Sequence, residues 1–223
     1  MTKTPARGSA FLLVLSAALG VGTAADASVS IAVSFDQLVH DSSAVTVATA
    51  TEAQVVWENG RIVTYTHLHV DRAVAGNLHV NDAPWVASLG GIVGTTGQVV
   101  DGEPTLHVGM PYLLFLRPDP SATTAPGTSP SVLMVTARAQ GQFRLKAASV
   151  TPDRTKPGHY LSSPVIVIRN PGVGEILPMR PTGLASGASA TTTPKAAVDQ
   201  IADRPIDDVA KEISSAWTKS HAP

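Results

Sequence analysis

Alternating apolar and polar residues dominate the middle of this chain, and that period of two predicts strands rather than helices. A long extended run covers Ala44 to Trp57. In it Val45, Val47, Ala53, Val55 and Trp57 fall on one face, with Thr49 and Thr51 between them. Asn59-Gly60 follows, and between two alternating runs this dipeptide predicts a tight hairpin with positive φ at both central residues. The returning strand, Arg61 to Val74, sets Ile62, Leu68, Val70 and Val74 on an even face with Thr64 and Thr66. Its odd face carries Val63, Tyr65, His67, His69 and Asp71. By alternation the even face is the expected core side.

Gly76-Asn77 then turns the chain toward further strand, expected over Leu78 to Val80 and Trp85 to Leu89. Glycines at 90, 91, 94, 97, 102 and 109 punctuate the crossing that follows. Tyr112 to Leu116 (YLLFL) is continuous and apolar, so it reads as a strand buried on both faces. Residues 118–131 form a low-complexity surface loop. Val132 to Ala137 and Gln142 to Leu145 look like a hairpin around Ala139-Gln140-Gly141. Tyr160 to Ile168 adds a β-rich segment in which Pro164 marks an edge or bulge.

Helical signals are confined to the two ends. Ser34 to Asp41 reads as a short helical turn with Ser34 as N-cap and Phe35, Leu38 and Val39 on one face. After a Gly/Ala/Ser/Thr linker at 182–194, Pro205 to Trp217 reads as an amphipathic helix. Ile206, Val209, Ala210, Ile213 and Trp217 share its stripe, and Pro205 stands at the first helical position. Asp207 and Asp208 complement its positive end and Lys219 its negative end. A stripe of this kind docks on its own domain or on a partner.

The first 27 residues read as a secretory signal peptide: Lys3 and Arg7 give a positive start, Ala10 to Val21 an apolar stretch, and Ala25-Asp26-Ala27 a small-x-small cleavage pattern. The apolar stretch falls short of the roughly 20 residues a bilayer span needs, which sets this reading above a retained anchor. Cleavage leaves a mature chain starting at Ser28, with no further stretch of membrane-spanning length, and implies a secreted or periplasmic protein. The expected organisation is signal peptide 1–27, β-barrel domain 28–181, linker 182–194 and C-terminal helical tail 195–223.

Composition then removes several function classes. The chain has no Cys, which excludes a disulfide, a Cys-ligated zinc and a cysteine nucleophile, and with high Ala content leans bacterial for an exported protein. A formal net charge of −1 provides no field for nucleic acid or anionic lipid. Aromatic residues at 4% argue against a carbohydrate platform or base-stacking surface.

Chemistry-bearing constellations are few. Tyr65-x-His67-x-His69-x-Asp71 puts two imidazoles and a carboxylate in a row, roughly 7 Å apart on one strand face. His67, His69 and Asp71 are the candidate metal ligands, for zinc or copper, if a neighbouring strand supplies another ligand such as His79 or His107. The alternative is a solvated polar face. No Gly-x-Ser-x-Gly elbow occurs, and Ser88 and Ser186 lie in a strand and a linker. Gly90-Gly91-x-x-Gly94 lacks the Lys-Ser/Thr of a phosphate-binding loop. Asp101 and Glu103 sit in a turn-rich loop with no apolar pocket marked around them.

One order of elements carries a resemblance. Ala44 to Val47, the Trp57 to Tyr65 hairpin, Val70 to Gly76, the glycine crossing, Val108 to Leu116 and Ala139 to Phe143 follow in line. Across roughly residues 40 to 146 this resembles a group of exported bacterial β-barrel proteins, some of which adjoin metalloprotease domains. It is also distantly similar to the OB-type barrel of netrin-like modules, which include the tissue inhibitors of metalloproteinases. The resemblance implies a small closed or partly open OB-like β-barrel. With the strand-rich pattern and the stripe at Pro205 to Trp217, the expected fold is mostly β, that barrel followed by a C-terminal amphipathic helix. The inhibitors' N-terminal cysteine is absent, so their zinc-clamping mechanism does not transfer, and no functional residue carries over by motif.

The sequence reading is therefore an exported, non-catalytic β-barrel module that binds a protein or cell-envelope partner. The alternatives are a metal-binding protein or metalloenzyme using His67 and His69, and a metalloprotease-associated inhibitor-like module.

Overall fold

The computed structural model describes residues 30–121, 132–146, 150–152, 160–162, 165–173, 176–177 and 195–222. The signal-peptide and linker readings, Pro164 and Ser186 fall outside the described residues, as does most of the 118–131 loop.

The barrel is wound from one long hairpin and three further strands. β1 (Ser30–Ile31) and α1 (Phe35–His40) precede it, and Ser34 caps α1 as expected, its hydroxyl accepting the Gln37 N–H at 3.1 Å. β2 (Ala44–Glu58) and β3 (Arg61–Gly76) then form the hairpin, with Asn59 and Gly60 at φ 50° and 77° in its turn. β4 (Trp85–Leu89) pairs with β3, and the small β5 (Gly91–Val93) and β6 (Thr96–Gln98) fill the glycine crossing. β7 (Pro111–Pro118) returns beside β2. β8 (Leu133–Val135) runs parallel to β4 and antiparallel to β7, which closes the circuit β7–β2–β3–β4–β8–β7. The result is a closed five-strand barrel with OB-like strand order.

Bulges coil the hairpin enough to close it. Along the β2–β3 register Thr51 has no partner on β3, and Asp71 and Val74 have none on β2. Each extra residue bends its strand and sharpens the twist. It also reverses which face the following residues take. Val45 and Val47 share one face, as expected, and it is the outer one, whereas beyond Thr51 the outward positions are Gln54 and Val56, which pair with Tyr65 and Val63. The expected single odd face of β2 therefore breaks at Thr51.

Two further expectations are corrected. Residues 78–80 are loop, with Leu78 packed on the barrel interior. The segments flanking Ala139-Gln140-Gly141 do not pair with each other. Instead β8 and β9 (Gln142–Lys146) both pair with β7, at Leu116–Pro118 and Tyr112–Leu114 respectively, and a 3-10 turn (Arg138–Gly141) bridges them. Local alternation suggests a hairpin; the shared partner strand is a long-range choice.

Beyond the barrel, β10 (Val150–Pro152) pairs with β11 (Tyr160–Ser162), β12 (Ile166–Arg169) extends the sheet beside β9, and β13 (Ile176–Leu177) pairs parallel with β1. α2 (Ala197–Ile201) and α3 (Ile206–Ser220) complete the chain, with Pro205 at the N-cap rather than the first helical position. Their connection covers the free edge of β12: Val167 N–H donates to Arg204 O, and Asp203 N–H to Val167 O.

Two cores result. Inside the barrel Ala48, Ala50, Leu68, Val86, Tyr112, Leu114, Leu116 and Val135 interdigitate. Outside it, the other faces of β2, β7 and β9 bury Val45, Val47, Leu113, Phe115 and Phe143 against Leu38, Val198, Ile201, Val209 and Ile213 of the three helices. Tyr112 to Leu116 are fully buried, as their continuous apolar pattern predicts. The C-terminal helix docks on its own domain, and Arg72 on β3 ties to Asp207 on α3 at 2.6 Å.

Candidate functional site

A cleft of about 200 Å³ opens on the outer face of the barrel, over β3, β4 and β8. Three features of the chain build it. The β2–β3 hairpin outruns the barrel, so Glu58 and Arg61 stand beside its turn. The parallel β4–β8 seam is only two residue pairs long, Val86–Leu133 and Ala87–Met134, so the sheet splits open past Ala87. The loop leaving β7 brings Asp119 and Ser121 to the rim. Val63, Ala87, Leu89 and Met134 form the apolar wall.

Glu103 fills the split. Its Oε2 accepts the Leu89 N–H at 3.1 Å, and its Oε1 lies 3.4 Å from Arg138 Nε. The Glu103 side chain is only 11% exposed, whereas that of Arg138 is 58% exposed. Arg138 reaches this place because Ala137 and Arg138 both adopt left-handed backbone, at φ 54° and 55°. Two consecutive non-glycine residues there cost on the order of 1 to 3 kcal/mol each. The Ala139 N–H bond to Gly102 O, at 2.9 Å, fastens the turn to the glycine crossing.

The polar groups of the cleft are unequally satisfied. Tyr65 Oη donates to Glu58 Oε2 at 2.7 Å. Burial of the phenol, reinforced by the Glu58 carboxylate, pushes the Tyr65 pKa up to about 12. Asp119 Oδ1 accepts from both the N–H and the hydroxyl of Ser121, each at 2.8 Å. Arg61 makes no ion pair among the described residues, and its Nε is buried without a hydrogen-bond partner. A second, more apolar hollow of about 450 Å³ adjoins across Ser88, Leu89 and Glu103, under the β5–β6 hairpin.

The candidate metal ligands lie elsewhere, whereas Tyr65, Ser88 and Glu103, also noted in the sequence, line the cleft. His67 and His69 occupy the same outer face of β3 as Tyr65, but farther along the strand. The His67 ring packs at 4.7 Å from the Trp85 ring, and its Nδ1 lies 3.2 Å from the Thr51 hydroxyl. His69 Nε2 is 3.8 Å from Asp71 Oδ1, while Asp71 Oδ2 accepts the Thr49 hydroxyl at 2.7 Å. Asp71 is a bulge residue, which sets it outside the strict alternation of the row. His79 sits with Asp82 in an exposed loop, and the His107 backbone N–H donates to Tyr112 Oη. Among the described residues no three His, Asp or Glu side chains are grouped closely enough to hold one metal ion.

Ser88 lines the cleft, but no histidine does among its described lining residues. Asp101 and Glu103 separate: Asp101 is exposed, and Glu103 enters the cleft. Sequence reasoning passed over Arg61, Glu58, Asp119 and Arg138 because each is an ordinary charge locally. The one local signal is the pair of opposite charges, Glu58 and Arg61, bracketing Asn59-Gly60. No protein-family model, curated protein or solved structure matches the chain.

Proposed function

We propose that this protein is an exported, non-catalytic binding module, and that it takes a protein or cell-envelope partner in the cleft on the outer face of its barrel. The observation that carries the reading is the cleft itself. Apolar wall and charged rim meet where the short β4–β8 seam ends, on a barrel packed on both its inner and outer faces. The left-handed pair at Ala137 and Arg138 supports it, since backbone strain concentrates where a side chain must be aimed. Export rests on the pattern of residues 1–27. An inhibitor-like role beside a metalloprotease is one form of the same reading, with the protease as partner.

Site-specific photo-crosslinking in the producing cell's envelope tests it. A crosslinker at Ser121 or Met134, on the cleft, is expected to label a discrete partner, and excess unlabelled protein should compete. The same group at Asp36 or Ser215, on the helical side, should not label it. Equal labelling from both faces, or none from the cleft, overturns the proposal.

A further inference from the structure

The geometry points to a carboxylate as the group this cleft receives: a side-chain or C-terminal carboxylate of a partner polypeptide, held by Arg61, with its carbon chain on the wall of Val63, Ala87, Leu89 and Met134. This inference rests on the binding reading above and adds the chemistry of the ligand.

It follows from asking which charge in the cleft is already accounted for. Glu103 is engaged by the Leu89 N–H and Arg138, and Asp119 by Ser121. Glu58 accepts from Tyr65. Arg61 is the exception. Its guanidinium forms no ion pair among the described residues, and its Nε is the one buried side-chain nitrogen or oxygen among them without a partner. The Nε is covered by the protein itself, so it is the guanidinium charge lining the cleft, with no counter-ion among the described residues, that calls for an acceptor. A guanidinium meets a carboxylate best, because its planar fork matches two carboxylate oxygens.

The surroundings narrow the class. Glu58, Glu103 and Asp119 all line the same cleft, so a doubly charged phosphate meets three carboxylates, whereas a singly charged carboxylate meets less repulsion. About 200 Å³ accommodates one side chain or terminal residue rather than a polymer segment. The apolar wall favours an acid carried on a hydrocarbon stem over a free inorganic anion.

The test titrates the intact mature protein with four probes. They are an N-acetylated alanine–leucine tripeptide with a free C terminus, the same peptide amidated, a capped tripeptide with one central glutamate, and inorganic phosphate. The readouts are the Arg61 Nε–H resonance and the Leu89 amide. At least one acid is expected to bind tenfold or more tightly than the amidated peptide and to move the Arg61 signal; which acid does so identifies the source. Arg61→Gln should abolish this preference and Arg61→Lys should weaken it, with the unfolding midpoint of each variant checking that the fold is kept. Equal binding of acid and amide, a stronger response to phosphate, unaltered binding by Arg61→Gln, or no response to any probe overturns the inference. If cleft crosslinking to a partner persists unchanged in Arg61→Gln, the binding-module reading stands and the carboxylate assignment falls.

Discussion

The Glu103 carboxylate accepts the Leu89 N–H at 3.1 Å, on the edge of β4 where a neighbouring strand would otherwise pair. A side chain from the glycine crossing thus completes a seam that β8 leaves unfinished after Ala87. Glu103→Ala removes the acceptor and frees a half-buried backbone donor, so it should cost about 2–3 kcal/mol. Glu103→Gln keeps an acceptor of the same reach and should cost less than half as much. Urea midpoints together with hydrogen exchange at Leu89 measure both, and equal losses would refute the assigned role.

Tyr65 provides a pH-dependent check on the same cleft. Its folded pKa is raised from 10.0 to about 12, chiefly by burial. Above pH 10 the unfolded chain releases this proton while the folded protein keeps it. The stabilisation is therefore complete below pH 10 and is lost as pH rises toward 12. Tyr65→Phe should cost about 1 kcal/mol at neutral pH through the lost bond to Glu58. The stability gap between wild type and variant should then narrow between pH 10 and 12, as denaturation at a series of pH values will show.

Two glycines with positive φ separate conformational strain from steric exclusion. A Cβ on Gly76 would lie 2.2 Å from Ser43 O and 2.6 Å from Ala44 Cα, both backbone atoms. Gly94, at φ 58°, has open space around the same position. Gly94→Ala should cost about 1 kcal/mol, the ordinary penalty of left-handed backbone. Gly76→Ala must also displace the start of β2 and should cost about 3 kcal/mol or more. Thermal or chemical unfolding of the two variants gives the comparison directly.

The histidine row yields a prediction against its own attraction. His67 is engaged by Trp85 and Thr51, and Asp71 by Thr49. After zinc or copper loading and dialysis, the protein should retain less than one equivalent of metal. Stoichiometric metal that is lost in a His67→Ala/His69→Ala variant would instead establish the metal-binding alternative.

Much of the fold was legible because its signals are local. Asn59-Gly60 specifies its turn through the φ it tolerates, and Ser34 caps α1 with its own hydroxyl. The continuous apolar run of β7 announces burial on both faces, and the period of Ile206, Val209 and Ile213 announces a docked helix. The metal candidates were also read locally, from a period of two. That rule places His67 and His69 on one face but says nothing of the bulge at Asp71 or of what covers the strand.

By itself, then, the sequence determined element types, the hairpin, and the strand-rich character of the glycine-punctuated stretch from Trp85 to Leu116, because propensity, turn chemistry and periodicity act over a few residues. Only the tertiary structure decided that β8 and β9 share β7, that the helices form one core with the barrel's outer face, and that Arg61, Glu103, Asp119 and Arg138 meet. Those outcomes depend on barrel closure and on bulges that re-aim whole strand faces. Closure brings together residues far apart in the chain, so no local pattern carries it.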